Sequence, residues 1–290
     1  MPIKNTPQQI IDATQDIALA RQFNVSPAPN HRVQHMTDQI VNNQYSLNWT
    51  PDRADARDYL FSLSAGTNTP ASIDLRNYCS PVDNQGTISS CTGCAITSAI
   101  ELILNKEQRF IDISRLFIYY QERLMESSVN SDSGAYIRDG IKACYTYGAP
   151  AEKLWAYNPR LVTVRPSDEA YADAIKRKVV SYWRCTNFDS VKSALALGYP
   201  VIIGFLVYSS FFSLDTIRTG IMKYPNTKIE RLLGGHAVCL VGYNDRTQMF
   251  IAKNSWGTNW GSRGYFYMPY RVIQDPSMSQ DFWVISGITK

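Results

Sequence analysis

Three residues in this sequence have the side chains that acyl transfer needs, each in a suitable local setting. Cys91 follows the turn-forming stretch DNQGTISS and opens a run with helical periodicity. The first turn of a helix offers unpaired N–H groups and the positive end of the helix dipole, and both stabilise a thiolate. His236 lies in GGHAVCLVGYN, where two glycines let the backbone approach closely and an apolar run holds the ring. The other two histidines, His31 and His35, fall in the first seventy residues, so His236 is the one imidazole available to the body of the chain. Asn254 follows eighteen residues later in KNSWGTNWG, and antiparallel strands joined through NDRTQ would set it beside His236. An amide oxygen there fixes the ring's orientation and tautomer. Gln85, six residues before Cys91, can point its amide, together with the Cys91 backbone N–H, at a developing oxyanion. Alone, a cysteine is commonly a small buried hydrophobe and a single histidine a structural residue. Together the set has the nucleophile, base and orienting group of thiol-dependent acyl transfer.

Positioning these groups requires particular elements. From Cys91 to about Glu107, Ala95, Ile96, Ala99, Ile100, Ile103 and Leu104 recur at helical spacing, with Ser89 or Ser90 as the cap. Further helices are expected over Ile113–Leu124, Tyr136–Tyr147, Ser167–Lys178 and Asp189–Leu197. Beyond Tyr199 the text turns to strands: YPVIIGFLV, HAVCLVGYN, QMFIAKNSW and GYFYMPY. A helical half followed by a strand-rich half implies an α+β chain of two lobes.

Composition narrows the function classes. The chain has 290 residues, 44% of them hydrophobic, ample for a large core. The net charge of +4 is mild and scattered, which argues against nucleic acid or a membrane surface as partner. No apolar run approaches the roughly 18 residues of a membrane helix, and no secretory signal is visible, so the chain reads as soluble with its compartment open. Six cysteines are too sparse for a disulfide scaffold, and one Cys pair with one histidine is too few for zinc. No metal or cofactor is expected.

The motifs also carry a resemblance. PVDNQGTISSC resembles the nucleophile segment of papain-like cysteine proteases, GGHAVCLVGYN their histidine segment and FIAKNSWGTNWGSRGYFYM their asparagine segment, in the same chain order. ASIDLR is similar to the start of the mature enzyme, and the resemblance spans roughly residues 70 to 285. It implies a helical left lobe, a β-barrel-like right lobe and a cleft between them that takes a protein or peptide substrate. It makes Cys91 the nucleophile, His236 the base and then the acid, Asn254 its orienter and Gln85 part of the oxyanion hole. Trp256 would shield the His–Asn bond and Trp260 would wall the leaving-group side. Gly134 would pair with extended substrate, and Ala237 would line the pocket for the second residue before the cut. Thr92 replaces the Trp usual after the nucleophile, and Ile88 replaces a Cys that commonly forms a disulfide. No paired histidines mark an occluding loop, which favours endopeptidase action.

Residues 1–68 read as a leader, with a helix expected from Asn5 to Phe23. NWTPDRADARDYLF resembles the short leader of microbial members, and SAGTNTP reads as an exposed linker before a peptidase domain at 69–290, its lobes dividing near 180/181. The aromatic residues of the leader would anchor it over the cleft as an inhibitory propeptide. Two alternatives remain at this point. One is a catalytically inactive papain-fold binding protein. The other is a thiol oxidoreductase using Cys91-Thr-Gly-Cys94, which leaves GGHAV and NSWG unexplained.

Overall fold

The computed structural model describes residues 45–61 and 69–289, all within one compact unit, Val41–Lys290. The expected helix Asn5–Phe23 and most of the SAGTNTP linker lie outside the described residues. A short strand β1 (Ser72–Asp74) precedes the helices α1 (Cys91–Lys106), α2 (Arg115–Met125), α3 (Ile137–Thr146) and α4 (Asp168–Ala174). Then come β2 (Val179–Cys185), α5 (Phe188–Ala196), β3 (Val201–Tyr208), α6 (Leu214–Thr219), β4 (Leu232–Asn244), β5 (Met249–Lys253), β6 (Tyr265–Pro269), α7 (Tyr270–Gln274) and β7 (Ser279–Ile288). This is the expected α+β architecture, a helical lobe followed by a sheet-rich one.

α1 is buried from Cys91 to Leu104. A helix apolar on every side belongs at the centre of a core, and α1 packs against α2 and α3 on one side and β4 and β7 on the other. The antiparallel sheet runs β2-β7-β3-β4-β5-β6, with β1 added to β4. The strand β4, which holds His236, is thus central, paired on one side with β3 and on the other with β5.

Three expectations need correction. Ser90 stands at the N-cap of α1, but its side chain makes no capping bond. Its hydroxyl instead pairs with the Tyr157 hydroxyl at 2.8 Å. The helix expected over Ser167–Lys178 ends at Ala174, because the chain must turn into β2 at Val179. Neither β2 nor β7 was expected, yet they pair with each other and close the sheet's outer end. β2 is the edge strand, and its burial does not alternate: Val179 and Cys185 at its ends are buried, Val180 and Trp183 are exposed, and Ser181, Tyr182 and Arg184 are half-buried.

The edge is not left open. Arg184 N–H donates to Tyr59 O at 2.7 Å and Phe61 N–H donates to Arg184 O at 2.8 Å. Residues 59–61 therefore lie along β2 and satisfy backbone groups that would otherwise face water. Tyr59 and Leu60 themselves are exposed. The main chain, more than these side chains, fixes this segment at the sheet edge.

A buried polar chain ties the two lobes together. Glu101 on α1 accepts from Ser80 Oγ and, at 2.8 Å, from Ile113 N–H. Lys253, the last residue of β5, donates from Nζ to Ser80 Oγ at 2.7 Å. Burial raises the Glu101 carboxyl to about 7, with Lys253 opposing the shift. Removing one member of a buried charged network strands the others. Glu101→Ala is expected to cost about 3–5 kcal/mol of stability, read from equilibrium denaturant unfolding; a loss well under about 1 kcal/mol would contradict this role.

Candidate active site

The Cys91 side chain lies at the first position of α1 and is fully buried. Backbone N–H groups of Ala237, Thr92 and Asn48 face its sulfur. They favour the thiolate, yet burial outweighs them and pushes the thiol up to about 12. The uncapped helix start is what leaves the Thr92 N–H free for the sulfur.

The ring of His236 is equally buried. Its Nε2 lies 2.8 Å from Asn254 Oδ1. That oxygen also accepts the Ser255 backbone N–H at 2.9 Å, which identifies it as the carbonyl end of the amide. Nε2 therefore carries the proton, and Nδ1 keeps a lone pair with no hydrogen-bond partner among the described residues. Burial lowers His236 to about 4, against the opposing Asn254 bond. Both reactive groups are neutral in this state.

The indole of Trp256 stacks on the His236 ring, with centroids 4.7 Å apart. Its neighbour Trp260 stands edge-on behind it at 5.0 Å, packed on Phe211 and Phe266. Trp256, rather than Trp260, meets the leader: Tyr45 stacks on it at 4.4 Å.

Gln85 is held from both sides. Its Oε1 accepts from Ser255 Oγ at 2.6 Å, and its backbone carbonyl accepts from the Tyr157 hydroxyl at 2.8 Å. Nε2 donates to Ile88 O at 2.9 Å and to the leader carbonyl of Ser46 at 3.3 Å. The amide thus points toward the strap of chain in the cleft.

Gly134 and Ala237 also lie under that strap. Trp49 N–H donates to Gly235 O at 3.0 Å and Thr50 N–H to Ala135 O at 3.4 Å. Gly134 has φ +76°, and a Cβ there would fall 1.9 Å from Asn48 O. Only glycine suits both that backbone and that approach. A network not foreseen from sequence holds this turn: Gly134 N–H donates to the Tyr119 hydroxyl, which donates to Asp132, which accepts from Ser89 N–H. Ala237 pairs in register with Gly204. Cys91, His236, Asn254, Gln85, Gly134, Ala237 and Trp256 therefore surround one cleft, with Trp260 in the layer behind.

Comparison with known proteins gives the family. Residues 69–282 match the model of the papain family cysteine proteases. The chain belongs to the papain family. A peptidase C1-like protein of Acanthamoeba polyphaga mimivirus is 43% identical over 229 residues, covering 75% of this chain and 73% of that one. Cathepsin K of Mus musculus is 26% identical over 245 residues, covering 82% and 71%. Among solved structures, xylellain, a cysteine protease from Xylella fastidiosa, superposes with a TM-score of 0.76 at 38% identity, covering 83% of this chain and 95% of that one. A procathepsin L2 from Tenebrio molitor shares the fold, with a TM-score of 0.69 at 18% identity, covering 100% and 96%.

This papain-family cysteine peptidase departs from the usual pattern where the sequence said it would. Thr92 donates to the buried Glu122 carboxyl at 2.6 Å, and burial raises Glu122 well above its ordinary range. Ile88 packs with Leu116, Tyr119 and Ala135 in place of a disulfide, and all six cysteines are free thiols, Cys91 and Cys94 included. Among the described residues no group of three His, Cys, Asp or Glu is placed to hold a metal ion, and no helix is long and apolar enough to cross a membrane.

The strap is held beyond the cleft by a charged cluster. Asp52 N–H donates to Asp281 at 2.7 Å, and the Asp52 carboxylate accepts from Trp283 Nε1 at 2.8 Å and Arg138 N–H at 3.2 Å. Asp58 pairs with both Arg138 and Arg184, and Arg184 also pairs with Asp281. Burial, then the Asp281 charge, raises Asp52 to about 7, well above the roughly 3.9 of a free aspartate. A proton on Asp52 thus favours the docked strap, and that contribution fades as pH rises through about 7. The protection factor of the Trp49 amide against hydrogen exchange is expected to fall across this range, and Asp52→Asn to flatten the fall. Protection that stays constant or rises from pH 5 to pH 9 would contradict the assignment.

Proposed function

We propose that this chain is a cysteine endopeptidase made in a latent form, with residues 1–68 as the inhibitory leader and 69–290 as the peptidase domain. Its helical lobe covers about 69–180 and its β lobe about 181–290. Cys91 is the nucleophile. With the cleft open to water, its proton passes to His236 Nδ1, the nitrogen that has no other partner among the described residues. The thiolate attacks the scissile carbonyl, and Gln85 Nε2 with the Cys91 N–H takes the oxyanion. His236 then returns the proton to the leaving amine, giving an acyl-enzyme that water hydrolyses. Asn254 holds the ring through this exchange, and Trp256 keeps water from their bond. No cofactor takes part, and the partner is a protein or peptide in extended form.

The observation that carries the latency reading is what the strap offers the sulfur. Asn48 directs a backbone N–H at Cys91, while the Ser46 carbonyl occupies the Gln85 amide. The nucleophile therefore meets a hydrogen-bond donor where a substrate would present an acyl carbon. The strap fills the cleft without being cut, and by excluding water it holds thiol and imidazole neutral.

The test is covalent labelling by an epoxysuccinyl inhibitor under reducing conditions, with the adduct mapped by mass spectrometry. Full-length protein and a chain beginning at Thr69 are compared. Labelling on Cys91, at least about tenfold faster without the leader and abolished in His236→Ala, is the expected result. Equal rates would keep the peptidase and end the latency reading. A folded protein that labels in neither form would favour the inactive binding protein.

A further inference from the structure

Outside the cleft, the strap carries acids and the body beneath it carries bases. The Asp58 side chain is only 7% exposed, wedged 3.1 Å from Arg138 and 3.0 Å from Arg184. Asp55 lies 3.9 Å from Lys142. Arg138 and Lys142 stand one turn apart on α3, and Arg184 stands on β2. Arg184 keeps a partner in the body, Asp281 at 3.0 Å. Arg138 does not: every hydrogen-bond partner of its guanidinium among the described residues belongs to the strap, the Asp58 carboxylate and the Arg53 carbonyl, and its Nε is unpartnered. The Asp281 charge reaches Arg138 as well, while Asp139 on α3 acts on Glu122 and Glu126. With the strap gone, Asp281 alone does not balance Arg138, Lys142 and Arg184, and the patch is positive.

The same place has a strand edge to offer. The Arg184 N–H and carbonyl pair with Tyr59 O and Phe61 N–H, and both lose these partners when the strap leaves. Next to them Trp183 is 36% exposed and meets the Tyr59 ring edge-on at 6.0 Å. The surface therefore has backbone groups for an extended chain, guanidinium forks for a carboxylate and an indole for an aromatic neighbour.

The path of the strap relates this surface to the cleft. It runs from Tyr45 on Trp256, past Asn48 at the Cys91 sulfur and Thr50 at Ala135, and on to Asp58. With Trp260 on the leaving-group side, as the endopeptidase reading has it, the far end leads away on the side before the cut. We propose that Arg138, Lys142 and Arg184, with the free edge of β2, form an exosite in the matured enzyme that binds an acidic, extended segment of a protein substrate upstream of the bond that is cut. This exosite rests on the latent-endopeptidase reading above and gives it a substrate class: proteins with Asp or Glu beside an aromatic residue in an extended stretch before the cleavage site. Asp58-Tyr59 of the strap holds the place until maturation. Single exposed ion pairs are weak and screened by salt, so the site works through several contacts at once.

The experiment uses the full chain matured by limited proteolysis and freed of its leader, with active sites counted by titration with the epoxysuccinyl inhibitor. Fluorogenic peptides share one cleavage sequence and differ upstream, beyond a Gly-Ser spacer of graded length, in a segment with two Asp, two Asn or two Lys beside a Tyr. At low salt the Asp peptide is expected to exceed the Asn peptide in kcat/KM by at least about fivefold, through KM, as two such pairs can supply. The Lys peptide should fall below both, and salt on the order of 0.5 M should close the gaps. In Arg138→Gln the Asp preference should vanish; Lys142→Gln, the more exposed change should the first not fold, should lower it in part. A free peptide of residues 52–61, which lacks the part of the strap that fills the cleft, should compete with the Asp peptide and spare the Asn peptide. Titrated enzyme with no Asp preference at any spacer length, or a preference that Arg138→Gln and Lys142→Gln both leave intact, would overturn this inference alone. Protein that takes no titrant and cleaves none of the peptides would overturn the endopeptidase reading and this inference with it.

Discussion

A thiol and an imidazole react as an ion pair only where water and backbone dipoles can support both charges. In this structure they are denied the water. The Cys91 thiol, pushed up to about 12, and the His236 ring, brought down to about 4, are both fully buried beneath the protein's own backbone. Three N–H groups around the sulfur do not offset that desolvation while the cleft is filled. The same groups become useful once the strap leaves, since re-solvation removes the largest opposing cause and leaves the oriented dipoles in place. Latency and activity, on this account, are two solvation states of one geometry.

The rest of the fold keeps that geometry fixed while the cover changes. α1 presents Cys91 from the centre of the core, and β4 and the end of β5 present His236 and Asn254. The Glu101–Ser80–Lys253 chain joins α1, which starts with Cys91, to the end of β5, next to Asn254. Trp256 is pressed between the His236 ring and Tyr45, with Phe212 and Trp260 at its other contacts. Losing the strap uncovers one face of that indole and leaves the others packed. The strap itself is held at three separate places: the cleft, the Asp52–Asp281 cluster and the β2 edge. That spread is what the proposed latency requires of the segment.

Much of the site was legible from local sequence because each of its parts is local. A helix start, a glycine-flanked strand and an Asn-Ser-Trp-Gly turn each announce themselves within ten residues, and the β4–β5 hairpin brings two of them together as the spacing implied. The α+β order and most helix limits followed from periodicity, with α1 ending within one residue of its expected end. The parts that escaped are those set by distant chain. β2 hides its strand pattern because its neighbours are the leader on one side and β7 on the other. Ser90 looked like a cap, but Tyr157, far along the chain, claims its hydroxyl. Gly204 reads as one more residue of an apolar run until the Trp49 ring lying on it is seen; its sole signal was a glycine where a strand has no need of one.

His236 reports directly on the solvation of the cleft. The chain has three histidines, so the His236 ring can be assigned in an NMR titration by comparison with His236→Ala. In the intact chain the imidazole should stay neutral down to about pH 4. Once the leader is removed its midpoint should rise by at least about two pH units, and Cys91→Ala should bring part of that rise back down, since the thiolate partner supplies it. A midpoint unchanged by removal of the leader would contradict the account.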